Sequence, residues 1–270
     1  MQSLLFWAAV TAYALATALG IAGFAFARDR WLAAGRWVGL AGLLPHAAVI
    51  ALRWVEVGHG PYNTRYEVLS AQAFILVVAY GVTALASRPL RSLGALVMPV
   101  AFLLMGFGLG TFEARHEVPI IFKSWWLVLH IGFAKLFGAT VFLAGLWALA
   151  YLRKSRHPGS LPRLPDPPRL DLYAHQFLLA AFLFLGVMIA AGALWANQSW
   201  GRYWGWDPIE TTSLVTWVAY GVILHFRVLH RWEGRRMAWL TLVALALALV
   251  TLYVVAVMVP TIHNSYMVGT

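Results

Sequence analysis

An all-α, polytopic integral membrane protein of about eight spanning helices is what this sequence predicts, on three observations. Of its 270 residues, 61% are hydrophobic and only 11% charged, where soluble chains carry about 25% charged residues. Uncharged runs recur along the chain, and a run of about 18 or more apolar residues reads as a membrane-spanning helix. The arginines lie between alternate runs, the asymmetry that orients helices in a lipid bilayer. That placement argues against nucleic-acid binding as the meaning of the formal net charge of +10, because the basic residues are not gathered on one face. The chain has no cysteine, which removes disulfides, thiolate metal sites and CxxC redox pairs from consideration.

In chain order, the first apolar run covers about residues 3–27. Arg28, Asp29 and Arg30 follow it rather than precede it, so it reads as a span and not as a secretory leader. A second run, about 32–54, contains Pro45 and His46. The polar connection 53–67 carries the breakers Gly58, Gly60, Pro61 and Asn63. A third run spans about 68–86 and a fourth about 93–111, followed by a mixed-charge link at 112–123. The fifth begins at Trp125 and continues to about residue 152. A basic, proline-rich linker at 153–171 has no apolar face and is expected to lack regular structure. Runs at about 172–195, 209–229 and 237–260 complete the set, and a short tail carries His263. No internal repeat is visible, and the expectation is a single membrane domain over residues 1–270.

Eight spans place both termini on one side. The links after the first, third, fifth and seventh runs hold most of the unbalanced arginines, and those after the second, fourth and sixth mix Arg or Lys with Glu or Asp. Lys and Arg favour the cytoplasmic side. Both termini and the connection between the sixth and seventh runs are therefore expected to face outward.

That connection sits in the most distinctive stretch, 195–217, which reads WANQSWGRYWGWDPIETTSLVTW. Trp200, Tyr203, Trp204 and Trp206 crowd around Gly201 and Gly205, and such ring density offers flat faces for a large planar ligand. Asp207 suits an N-cap, Pro208 the first helical position and Glu210 the third, so a capped helix should begin there. An interfacial aromatic belt is the other reading of the same rings.

Topology sorts the nine histidines. His130 lies five residues inside the fifth run, about 7 Å below Trp125 at a helical rise. His263 lies just beyond the outward end of the eighth. Both fall at the depth of the aromatic loop, and two imidazoles flanking an aromatic cradle suit a six-coordinate haem. His225 is different, fifteen residues past Glu210 and about 22 Å deeper; it is either an intramembrane functional group or a histidine snorkelling beside Arg227. His46 either serves function or satisfies backbone groups freed by Pro45. His59 and His116 lie in outer links, His157 and His230 among inward arginines, and His175 at the start of the sixth run. Arg53 and Arg65 either bind ligand carboxylates or pair with Glu56 and Glu67. Met98, Met105, Met188 and Met258 read as core filler.

WANQSWGRYWGWDPIET resembles the tryptophan-rich "WWD" signature of the cytochrome c assembly family, over an approximate core of residues 66–268. Within that family the chain is similar to the CcsA (ResC) type of the System II pathway rather than to the shorter CcmC type. RWVEVGHGPYNTRYE at 53–67 looks like the family's second link. KSWWLVLH at 123–130 and IHNSY at 262–266 resemble the segments bearing the two external haem ligands, which map onto His130 and His263. ILHFR at 223–227 resembles the segment of the membrane-embedded haem site, which maps onto His225. Ile209 stands where the family pattern has Lys, Thr212 where it has Trp, and Asn264 separates the histidine from Ser-Tyr.

The resemblance implies a cytochrome c synthase of the bacterial inner membrane, with its active loop facing the periplasm. Haem b would be its substrate, held first near His225 with an imidazole from a CcsB (ResB) partner. It would then pass to Trp195, Trp200, Tyr203, Trp204, Trp206 and Asp207 at the outer face. An apocytochrome c would supply a CxxCH segment, whose thiols add across the haem vinyls, with thiol-reducing partners as a further possibility. The absence of cysteine fits that division, since a resident thiol would compete for the vinyls. A haem carrier of the CcmC sort, forming no bonds, is the alternative.

Overall fold

The structure, a computed structural model, describes residues 1–86, 88–114, 118 and 120–262. Helices dominate, with no strand among the described residues, and eight helical stretches there are long and apolar enough to cross a membrane. The chain divides into two compact units, one within Met1–Pro119 and the other within Ile120–Met267.

The first unit consists of α1 (Gln2–Ala25), α2 (Asp29–Ala41), α3 (Leu43–Val57), α4 (Arg65–Ala86) and α5 (Gly94–Gly108), with a 3₁₀ turn at Arg88–Leu93 before α5. α1 packs on α2, α3 and α5, and α4 on α5. The second apolar run is one span made of two helices, because the ladder breaks at Gly42. Pro45 is the cause: it has no N–H to donate to the Ala41 carbonyl, and its ring crowds that position.

His46 does not serve the backbone freed by that break. Its Nδ1 lies 2.9 Å from the Tyr13 hydroxyl of α1 and its Nε2 2.9 Å from the Ser70 hydroxyl of α4. The buried ring thus ties three helices together. Arg53 is likewise buried, with Nε donating to Glu67 at 2.7 Å and its other nitrogens to the carbonyls of Phe112 and Ala114 at 2.8 and 2.5 Å. Of the two readings open for Arg53, pairing with Glu67 is the one the structure adopts. Glu67 also accepts from the Thr64 amide while its own amide donates to the Thr64 hydroxyl, a capping box that starts α4. Arg65 is exposed at the first position of α4.

The second unit consists of α6 (Trp125–Arg156), α7 (Pro167–Trp200), α8 (Pro208–Leu229) and α9 (Arg235–Leu249), then a π-helical turn (Val250–Val255) and α10 (Ala256–Met258). α6 and α7 make the longest seam. With 32 and 34 residues they extend about 48 and 51 Å, well beyond a hydrocarbon core of about 30 Å. Hydropathy therefore marked only their apolar middles, and residues 196–200 belong to α7 rather than to a loop. The proline-rich linker is non-helical over 157–166. Buried Lys154 pins it, donating to the carbonyls of Leu164 and Pro165 at 2.7 and 3.2 Å. The core lies between α6, α7, α8 and α9, around Phe137, Leu178, Leu185, Tyr220 and Ala244. Tyr220 donates its hydroxyl to the Ala244 carbonyl at 2.7 Å.

Candidate functional site

The connection between α7 and α8 is built by its backbone. Gly201 ends α7 in the left-handed conformation, φ 71°, with its amide bonded to the Asn197 carbonyl. Five residues later Trp206 also has positive φ, 59°, where a bulky side chain is strained by roughly 1–2 kcal/mol. Glu210 holds that strain in place. One of its carboxylate oxygens accepts from the amides of Gly205 at 2.7 Å and Asp207 at 3.1 Å, the residues on either side of Trp206. Asp207 in turn caps α8, its Oδ1 accepting from the Ile209 amide at 3.0 Å. The capping box expected from Asp207 and Glu210 is present, and it does more than start a helix: it fixes the loop around the ring of Trp206.

The aromatic residues divide into two sets. Trp206 and Tyr203 are exposed, at 71% and 57%, and Trp204 meets Trp206 edge-on, with centroids 5.8 Å apart and planes at 89°. Trp195, by contrast, is buried; its indole N–H donates to the Ile121 carbonyl at 3.0 Å, and its ring meets Trp200 edge-on at 4.9 Å. Trp195 and Trp200 therefore act as struts at the end of α7. The cluster forms a cornered surface rather than one flat plane. Trp206→Gly should remove the backbone strain while deleting the exposed ring. Calorimetry is expected to show a stability change below about 1 kcal/mol, and planar-ligand affinity should fall about tenfold for the lost stacking.

Beneath the loop is a cleft lined by His130, Met188, Gly192, Trp204, Glu210 and Ser213, among others. His130 enters it from the second turn of α6. Its Nδ1 lies 2.9 Å from the Met188 carbonyl of α7. A carbonyl only accepts, so Nδ1 carries a proton, an anchoring hydrogen bond of the kind that orients metal-ligating histidines. The ring fits because α7 has glycine at 192: a Cβ there would stand 2.6 Å from Nδ1 and 2.9 Å from the Cε1 carbon. Helix propensity alone favours alanine over glycine by about 1 kcal/mol. Gly192→Ala should nonetheless destabilise the unit by about 1–2 kcal/mol through overpacking, and should swing the His130 ring off Met188, as side-chain NMR of labelled histidine would report.

The remaining candidates are dispersed. Asp207 is 7% exposed, and its second carboxylate oxygen accepts from the Ile262 amide at 2.9 Å. His263 is the next residue in the sequence and lies outside the described residues, as does His116. His225 is exposed near the opposite end of α8, about 22 Å along the axis from Glu210, and forms no part of this cleft. His59 is buried in the first unit, its Nδ1 2.7 Å from the Gly60 carbonyl. Among the residues that line the cleft, Ser213 and Gly192 were not singled out from the sequence, and Glu210 was read only as part of a cap. Glu210 and Ser213, three positions apart beyond a recognised cap, share a helix face, a signal that was there to use. Gly192 carries no such signal. Lys135, an ionisable residue inside a spanning helix, was also legible by its depth alone.

Comparison with known proteins adds four findings. Residues 62–263 match the family model described as Cytochrome C assembly protein. The chain is 31% identical over 244 residues to the cytochrome c biogenesis protein CcsA of Parasynechococcus marenigrum (strain WH8102), covering 77% of this chain and 78% of that one. It is 31% identical over 200 residues to CcsA of Chlamydomonas reinhardtii, where it spans 56% of the relative's length. Among solved structures, Cytochrome c Heme Lyase CcmF superposes with a TM-score of 0.70 at 18% identity, over 93% of this chain and 46% of that one. That likeness is one of fold, and the chain spans about half of that protein.

Proposed function

Because this chain belongs to the cytochrome c assembly protein family, we propose that it binds haem b at the outer face of the membrane and presents it for covalent attachment to an apocytochrome c. The observation that carries the reading is the cleft histidine: His130, anchored through Nδ1 to Met188 beneath a strained tryptophan loop.

In this reading Nε2 of His130 ligates the iron from one side and His263 from the other. Trp204, Trp206 and Tyr203 make the cradle. Trp195 and Trp200 hold it from behind, and Asp207 and Glu210 fix its backbone. His225, exposed on its helix, belongs to a separate inner haem site completed by an imidazole from a CcsB/ResB-type partner. Both termini and the loop face the periplasm of a bacterial inner membrane. The apocytochrome's CxxCH histidine displaces one axial imidazole, which brings its thiols over the vinyl groups. Each sulfur then bonds one vinyl carbon while the thiol hydrogen is delivered to the other, so the addition is redox-neutral; thiol-reducing partners keep the cysteines available. The chain's own contribution is orientation and the exclusion of water around chemistry that belongs to haem and thiol.

The test has two parts. Purified protein titrated with ferric haem should give the low-spin spectrum of an iron with two imidazoles; no haem absorption would end the reading. Co-expression with a CcsB-type partner and an apocytochrome should then yield covalent product. Haem binding without that product would favour a carrier that only presents haem.

A further inference from the structure

One charged group of the tryptophan loop takes no part in building it. Arg202 is the only Lys or Arg between Arg169 and Arg227, and it follows Gly201, where α7 ends. Among the described residues its side chain forms no hydrogen bond and no ion pair. The loop's two acids, Asp207 and Glu210, accept from backbone amides instead. Arg202 is exposed, yet its guanidinium is folded back against the loop. It lies over Gly205, where an added Cβ would stand 2.7 Å from Cζ, 2.8 Å from Nη2 and 2.9 Å from Nε. Glycine at 205 thus lets the cation rest on the loop that carries the exposed rings of Tyr203 and Trp206. On the proposed topology the residue also runs against the arginine bias, since Lys and Arg favour the cytoplasmic side.

We propose that Arg202 is a carboxylate-binding arm, whose guanidinium takes a propionate of the haem held at the tryptophan loop. The inference rests on the reading of that loop as a haem site. A guanidinium presents a planar fork of donors that matches a carboxylate bidentately. The donors of Arg53 are spent on Glu67 and two carbonyls, whereas those of Arg202 remain available. Asp207 and Glu210, the other charged groups of the loop, repel a carboxylate, so the field across the loop gives the ligand a direction. Haem b carries both propionates on one edge and both vinyls on the opposite half of the ring. A grip on the carboxylates therefore also decides which way the vinyls face, and thiol addition at fixed positions needs that orientation.

Ferric haem and its dimethyl ester share iron, ring and vinyls, and differ in the two carboxylates that Arg202 would hold. Each is titrated into the full chain in uncharged detergent and followed by its Soret band. The ratio of free-acid to ester affinity should fall at least about tenfold from wild type to Arg202→Gln. Comparing ratios across variants cancels the difference in how the two porphyrins partition into detergent. Affinity for the ester and the thermal midpoint should stay at the wild-type level, because the side chain supports nothing else. Arg202→Lys, a point charge without the fork, should keep part of the ratio. A ratio that is the same in wild type and Arg202→Gln overturns the proposal and leaves the haem reading in place. If Arg202 instead serves an acidic segment of the incoming polypeptide, Arg202→Gln weakens apocytochrome binding with the ratio unchanged, which also overturns it. Failure of the wild type to bind either porphyrin overturns the haem reading and this proposal together.

Discussion

Replacing His130 with alanine is expected to abolish covalent haem attachment, lowering product in the co-expression assay by at least about 100-fold, while leaving the helical fold intact. The reasoning starts from the ring's surroundings. Nδ1 is committed to the Met188 carbonyl, so the ring enters the cleft already oriented, and in the proposed reading little further ordering is needed for it to hold iron. Alanine removes the donor and leaves a small void beside Gly192, and misplacing a reacting group by about 1 Å already costs on the order of 100-fold. The stability loss should be small, because His130 is only half-buried. Free imidazole at millimolar concentration fits the void and should restore the low-spin spectrum. Glutamine in place of His130 should fail to recover activity although it can still reach Met188. If the alanine variant makes product at the wild-type level, the cleft is not the place where haem is held.

Arg53→Met is expected to have the largest effect on stability, and none that is specific to haem. Three donors of a buried guanidinium reach Glu67, Phe112 and Ala114. Removing them takes the countercharge from a buried carboxylate, and breaking such a pair costs about 3–5 kcal/mol. For a unit of this size that corresponds to a fall of roughly 10 °C in the thermal midpoint measured in detergent. Arg53→Met combined with Glu67→Gln should recover part of the loss, because neutral Gln still accepts from the Asn63 and Thr64 amides that hold Glu67 now, and the charge no longer needs a partner. If Arg53 were instead a carboxylate-binding arm for the ligand, its loss would weaken haem binding and leave the midpoint unchanged.

Some features were legible because their causes lie close together in the chain. Asp207, Pro208 and Glu210 announce a capped helix within four residues, and the structure has it. Pro45 announces a disturbed helix, and the break falls at Gly42, one turn before it. The helix ends were less legible. Trp200 was placed in a loop because the apolar run fades at Trp195, yet hydropathy reports the depth of the bilayer and not the end of a backbone ladder. α7 runs on until Gly201 supplies the left-handed residue that stops it. The aromatic cluster was legible as a density of rings, but its division into exposed Trp206 and buried Trp195 depends on the Ile121 carbonyl, 74 residues away.

The sequence by itself determined that this is an eight-span helical membrane protein of the cytochrome c assembly family with a capped, tryptophan-rich connection before its seventh span. Hydrophobic runs, caps and signature motifs are written in neighbouring residues, and water and lipid read them with no knowledge of the rest of the chain. Only the tertiary structure decided which nitrogen of His130 is anchored, that Gly192 makes room for its ring, that Arg53 is committed to Glu67, and that Asp207 grips the tail at Ile262. Each of these is a contact between groups 14 to 62 positions apart, and a hydrogen bond a few tenths of an ångström inside its limit leaves no trace in local composition.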